Sequence, residues 1–362
     1  MSSALEGRLC ICVGAGGVGK TTMAAAIALE RAARGERVAV VTIDPAPRLA
    51  RALGFDELDD EPRAVPGAGE LYAMRLDPKR TLDELIASLA PDAQTRERTL
   101  SNRIYRELSS AVAGAQEFSA VAKLYQLDRE GGFDVIVLDT PPSRNALDFL
   151  DAPGRLARFF DGRALRLVLA QGSIASRVAR RAGSPIVAVL ERLLGGDVLR
   201  EISAFVTAIG SMVDGLGARA AAVEALLREP GTRYVLVTSP RREAVEEAIA
   251  FEAELARAGV KVGALVVNRV HEAPAALVPG TLEPLLGERL AGLVVDSVAQ
   301  AAAMAAADSA SLERLRVALG VEAVVVPELG SEVYDIEGLR TVARALGYAP
   351  SPRSETEPSA AQ

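Results

Sequence analysis

Seven stretches of near-continuous apolar residues punctuate the chain, at 8–13, 37–43, 70–76, 133–138, 234–238, 262–267 and 321–326. Each is short and lacks the apolar/polar alternation of a strand with one face in water, which is the pattern of strands covered on both faces. Between them run segments with apolar residues at three- and four-residue steps, so strand and helix alternate from the start. That alternation predicts an α/β fold: a doubly wound, mostly parallel sheet with right-handed crossovers, and a ligand site at the carboxyl ends of its strands.

Two intervals, 79–130 and 152–229, are far longer than a helix returning the chain to a neighbouring strand, and they read as helical insertions. The expected organisation is a single domain over 1–348 with a helical subdomain built from those insertions. Residues 349–362, rich in Ser, Pro and Glu, are expected to form a disordered tail. Within the second insertion Leu199, Ile202, Phe205, Val206, Ile209, Met212, Val213 and Leu216 form one wide apolar stripe. It either packs against neighbouring helices or lines a groove for an apolar client.

With 49% hydrophobic and 25% charged residues over 362 positions the composition is globular, and a net charge of −7 argues against a protein that wraps duplex DNA, so no nucleic-acid partner is expected. Only Lys20, Lys79, Lys123 and Lys261 among the 41 basic residues are lysines, a bias that reads as GC-rich coding rather than as binding chemistry. Cys10 and Cys12 lie two apart on the first strand, at a spacing of roughly 6.6 Å that does not suit a disulfide, and read as small core residues. No signal-peptide pattern and no apolar run long enough to span a bilayer stand out, so the expectation is a soluble cytoplasmic protein with no integral membrane segment.

The chemistry is concentrated after the first strand, where Gly14-Ala15-Gly16-Gly17-Val18-Gly19-Lys20-Thr21-Thr22 leads into a helical pattern. Strand, glycine loop and helix in that order, with Lys and Thr at this spacing, form a Walker A phosphate loop. Glycines let main-chain N–H groups turn onto phosphate oxygens, the lysine reaches the β and γ phosphates, and the threonine hydroxyl meets Mg²⁺. Gly14, Gly16, Gly17, Val18, Gly19, Lys20, Thr21 and Thr22 are therefore the expected binding residues for ATP, with Thr21 also a metal ligand. Two acids complete the set: Asp44 ends the second strand, and Asp139 ends the run 133–138 in a Walker B arrangement that delivers a carboxylate to the Mg²⁺ shell.

Those residues, with Asp44-Pro45-Ala46, Asp139-Thr140-Pro141-Pro142 and Val267-Asn268-Arg269, resemble the ArsA/Get branch of the deviant-Walker, MinD-like ATPases over most of the chain. The resemblance implies that Lys20 and Asp44 are catalytic, Asp44 orienting the attacking water, and that Asp139 supports Mg²⁺ and couples to a second switch. It further implies that Asn268 reads the adenine edge and that Val326-Pro327-Glu328-Leu329 forms the loop over the base, with Pro327 and Glu328 as contacts.

Departures from that pattern also carry information. The family's signature lysine, two residues before Gly17, falls at Ala15, so a cation that reaches into a partner's site is missing, and Arg144 or a lysine-bearing paralogue is left to supply it. The C-terminal half has no Cys-x-x-Cys pair for a bridging zinc, and the chain has no cysteine triad for arsenite. His271, the only histidine, is expected on a solvent-facing loop near the base. The function expected is an ATP-hydrolysing dimeric switch, as a homodimer or heterodimer, that opens and closes a helical subdomain around a client such as a hydrophobic protein segment. Two alternatives stay open: a weakly or non-hydrolysing nucleotide-binding subunit of a heterodimer with a lysine-bearing paralogue, and a positioning ATPase of the ParA/MinD kind.

Overall fold

The structure, a computed structural model, describes residues 5–103, 105–106, 115–130, 132–141, 205, 208–275, 277, 279–330, 333 and 335–347. All seven apolar runs are strands: β1 (Leu9–Val13), β2 (Val38–Thr42), β4 (Leu71–Arg75), β5 (Val135–Asp139), β6 (Thr232–Thr238), β7 (Val262–Val270) and β8 (Ala323–Pro327). A two-residue β3 (Arg63–Ala64) was not anticipated; both of its residues are exposed, so it has no apolar signature.

The described strands form one eight-stranded sheet in the order β3-β4-β2-β5-β1-β6-β7-β8. Every neighbouring pair is parallel except β3 with β4. β1, β2 and β5 are buried at every position, which is why their sequences are continuously apolar. β1 lies between β5 and β6 at the centre of the sheet, so the loop that leaves it emerges at the middle of the carboxyl edge.

The helices are α1 (Lys20–Ala33), α2 (Arg48–Ala52), α3 (Pro78–Leu89), α4 (Ala93–Ser101), α5 (Ala115–Glu130), α6 (Val213–Arg228), α7 (Arg242–Arg257), α8 (Pro279–Leu286), α9 (Glu288–Leu319) and α10 (Ile336–Ala345). Small side chains let α1 bury itself: Ala24, Ala25, Ala26 and Ala28 with Met23 and Ile27 are fully enclosed, in one core with sheet residues and with Leu339, Val342, Ala343 and Leu346 of α10. This packing holds the N-terminus of α1 rigidly against the sheet edge.

The described residues divide into two compact units, one drawn from 1–75, 133–144 and 231–362 and the other from 76–132 and 145–230. The second has a core of its own, in which Ile209, Met212, Val213 and Leu216 pack with Leu85, Ile86, Tyr105 and Ala122. This part of the apolar stripe is interior. Leu199, Ile202, Val206, Arg144 and the tail 349–362 lie outside the described residues.

One helix departs from the sequence expectation. By length and composition α9 is apolar enough to cross a membrane, and its most apolar window is only 11% buried. Leu290 and Leu293 on α9 and Leu285 on α8 are exposed. The length of the run is masked in the sequence because alanines, weakly apolar one by one, supply most of it.

Candidate nucleotide site

The phosphate loop joins β1 to α1, and its backbone explains its glycines. Gly14, Gly17 and Gly19 adopt φ values of 143°, 78° and 98°, the region that side-chain-bearing residues avoid. A Cβ on Gly14 would stand 2.0 Å from the carbonyl oxygen of Val237, and one on Gly19 would meet the amide of Asn268 at 2.3 Å. Gly17 has open space around it, so its glycine serves the turn and the approach of a ligand rather than packing. Gly19 is also the N-cap of α1 and supplies no capping side chain, which leaves the first N–H groups of that helix to an anion.

Lys20 is buried, and its Nζ donates to the carbonyls of Gly14 at 3.0 Å and Ala15 at 2.8 Å. Burial lowers its pKa, partly offset by the carboxylate of Asp139 nearby. The ammonium is thus enclosed in its own loop, held by oxygens that phosphate oxygens can replace. Val18 is buried beneath the loop, Gly16 lies at its exposed crest, and Thr22 follows in the first turn of α1.

Thr21, Thr42 and Asp139 converge on one point. Asp139 Oδ2 accepts from Thr21 Oγ1 at 2.8 Å and from Thr42 Oγ1 at 3.0 Å. Its other oxygen, Oδ1, is buried without a hydrogen-bond partner. Burial raises the carboxyl pKa to about 6, against the lowering effect of the two threonine bonds and Lys20. A buried carboxylate oxygen without a donor, next to a threonine hydroxyl at a helix N-terminus, suits a hard cation with oxygen ligands, so the residues fit Mg²⁺. Among the described residues no cluster of three or more His, Cys, Asp or Glu suits a metal.

Asp44 follows β2 at the same edge. Its Oδ1 accepts from the N–H of Ala46 at 2.9 Å, its Oδ2 lies 3.6 Å from the Arg48 guanidinium, and its own N–H donates to Thr42 Oγ1 at 3.2 Å. Behind this turn is a cavity of about 80 Å³ lined by Thr42, Pro45, Ala46, Pro47, Leu58 and Arg75 among others, so the turn is not packed solidly.

Thr42 and Thr140 were missed in the sequence reading. Thr42 bridges Asp139 to Asp44, while Thr140 donates to the carbonyl of Cys12 at 2.7 Å and ties the residue after β5 to β1. A polar residue closing an apolar run is the only sequence signal either one offers.

On the other flank, Asn268 is buried and its Nδ2 donates to Val18 O at 2.9 Å. Its amide nitrogen thereby braces the phosphate loop from the β7 side. After it the β7–β8 register shifts, and Arg269 takes a φ of 61°. Pro327 then pairs with Val270, and the N–H of Glu328 donates to Val270 O at 2.9 Å. Arg269 lies 4.0 Å from the Glu328 carboxylate.

His271 lies in the loop after β7 with its side chain 36% exposed, and there it is tied down by a partner the sequence did not reveal. Its N–H and Nδ1 both meet Asp308 Oδ2 of α9 at 2.8 Å. Cys10 and Cys12 are free and fully buried, and burial pushes the Cys10 thiol up to about 11, in keeping with a core role.

Residues 8–276, most of the chain, match the anion-transporting ATPase family. The chain belongs to that family. It is 33% identical over 143 residues to the protein named ATPase get3 of Aspergillus terreus, covering 39% of this chain and 41% of the relative. Its identity to ATPase get3 of Schizosaccharomyces pombe is 31% over 140 residues, 39% of this chain and 41% of that protein. ATPase GET3 of Malassezia globosa is 32% identical over 147 residues, 41% and 43% of the two chains. The chain spans about two fifths of the length of these curated relatives. Membership of this family accounts for the mostly parallel sheet with a glycine loop after its central strand.

Proposed function

We propose that this chain is a cytoplasmic ATPase working as a dimeric switch, in which the state of the nucleotide opens and closes a helical subdomain that handles a client such as a hydrophobic protein segment. The observation that carries the reading is the hydrogen-bonded set Thr21–Asp139–Thr42–Asp44, with one carboxylate oxygen unclaimed, beside an uncapped helix N-terminus. The loop 14–22 holds the triphosphate through main-chain N–H groups, and Lys20 exchanges the carbonyls of Gly14 and Ala15 for phosphate oxygens. Thr21 and Asp139 would hold Mg²⁺, which supplies charge neutralisation across the β and γ phosphates. Asp44 orients the attacking water; phosphoryl transfer asks for positioning more than for a strong base. Asn268, Pro327 and Glu328 border the base.

Because the Thr42 hydroxyl bonds both the Asp139 carboxylate and the backbone N–H of Asp44, a shift of one is felt by the other, and the stiff Asp44-Pro45-Ala46-Pro47 turn converts the presence of a γ-phosphate into a displacement. The helical subdomain, expected at 79–130 and 152–229 within a single ATPase domain over 1–348, is the element that displacement moves.

Ala15 favours a second reading, in which this chain is the weakly hydrolysing member of a heterodimer whose paralogue carries the missing lysine. One set of experiments separates the two. Calorimetry with Mg²⁺ is expected to show ATP binding in the wild type and in Asp44→Asn, no binding in Lys20→Ala, and turnover lost in Asp44→Asn. Capture with the ATP-loaded Asp44→Asn protein that recovers a paralogue supports the heterodimer, and recovery of apolar-tailed proteins supports the client. Absence of ATP binding overturns both.

A further inference from the structure

We propose that Arg48 is a catalytic residue: its guanidinium contacts the γ-phosphate as that group is transferred, supplying from the same chain the cation that Ala15 cannot. The inference rests on the ATPase reading above and concerns the charge balance of its transition state.

Transfer of the γ-phosphoryl group spreads negative charge over its equatorial oxygens, and one well-placed arginine is worth roughly 10³–10⁵ in rate. The phosphate loop contributes a single cation, Lys20, and position 15 contributes none. Arg48 begins α2 four residues after Asp44, with its guanidinium 3.6 Å from Asp44 Oδ2. Prolines at 45 and 47 fix φ on either side of Ala46, the N–H of Ala46 donates to Asp44 Oδ1, and the N–H of Arg48 donates to Ala46 O at 2.8 Å. Carboxylate and guanidinium are thereby carried on one stiff turn, and whatever brings Asp44 to the attacking water brings Arg48 with it.

A structural role explains Arg48 poorly. Its side chain is 62% exposed, and an exposed ion pair is worth under about 1 kcal/mol, too little to hold the turn. Once Asp44 turns its oxygens to a water, the guanidinium has five N–H donors in a fork that matches phosphate oxygens.

The step balances without any covalent part for Arg48. The water oxygen bonds to the γ-phosphorus as the bond from that phosphorus to the bridging oxygen breaks; the electron pair stays on ADP, and the water proton passes to the released phosphate. Arg48 donates hydrogen bonds to the oxygens that gain charge.

The test compares Arg48→Ala and Arg48→Lys with the wild type in steady-state hydrolysis and in calorimetry with ADP, magnesium and aluminium fluoride, which mimics the transferring group. Arg48→Ala is expected to lower kcat by on the order of 10³ while KM changes by less than about threefold, with Arg48→Lys recovering part of the loss. Fluoride-dependent tightening of ADP is expected in the wild type and absent from Arg48→Ala, a readout that does not need measurable turnover. Unchanged kcat and unchanged fluoride tightening in Arg48→Ala overturn the assignment and leave the ATPase reading standing. Equal loss of plain ADP binding and turnover overturns it in favour of a structural role, and a wild type that binds no nucleotide overturns both readings.

Discussion

Thr42 Oγ1 stands 3.0 Å from Asp139 Oδ2, donating to it across the β2–β5 pair while accepting the N–H of Asp44 at 3.2 Å. One hydroxyl therefore joins the acid assigned to the metal and the acid assigned to the water. Thr42→Val preserves shape but removes both bonds. Since a hydrogen bond to a charged group is worth about 1.5–3 kcal/mol, hydrolysis should fall by roughly tenfold or more while ATP binding persists. Thr42→Ser should restore most of the rate; steady-state kinetics across magnesium concentrations reads the difference.

Two glycines of the same loop should fail in different ways. Gly14→Ala pushes a Cβ to 2.0 Å from Val237 O at a φ of 143°, so the sheet or the loop must give, and a stability loss of about 3 kcal/mol or more is expected. Gly17→Ala meets nothing within 4 Å, and its φ of 78° carries only a strain of about 1 kcal/mol, so the protein should fold but bind ATP poorly. Thermal melting paired with calorimetry checks the contrast; equal melting temperatures for the two variants would contradict it.

Asp139 connects the site to pH. Its pKa is raised from 3.8 to about 6, chiefly by burial, so the folded protein without metal holds this proton more tightly than the unfolded chain does. That tighter hold contributes stability in full below the unfolded value and loses it as pH rises through about 6. Asp139→Asn should therefore stabilise the metal-free protein near pH 8 by on the order of 2 kcal/mol, with the gain fading towards pH 4. Urea unfolding with a chelator at both pH values measures this, and magnesium-dependent ATP tightening should vanish in the same variant.

Asp308 ties α9 to the end of β7 through two bonds to His271, from the backbone N–H and to the ring. Asp308→Ala leaves a partly buried N–H without its acceptor and should cost about 1–3 kcal/mol. A double-mutant cycle with His271→Ala isolates the ring contribution, expected near 1 kcal/mol. No coupling between the two would mean that only the backbone bond matters.

The sequence by itself determined the strands, the phosphate loop and the two acids. Buried parallel strands must be apolar throughout, as β1, β2 and β5 are, and a glycine loop needs its residue types at fixed spacing, so both are written in consecutive residues. The tertiary structure decided what consecutive residues cannot express. Thr42 looks like the end of a strand until β2 pairs with β5 and brings it to Asp139; Arg48 is one of many arginines until the turn folds it onto Asp44; and His271 has no partner until α9 presents Asp308. Hydrogen bonds between such residues depend on which strands and helices become neighbours. That choice is made by packing the whole chain, so local pattern foretold the elements and the loop while the pairings that connect them came from the assembled fold.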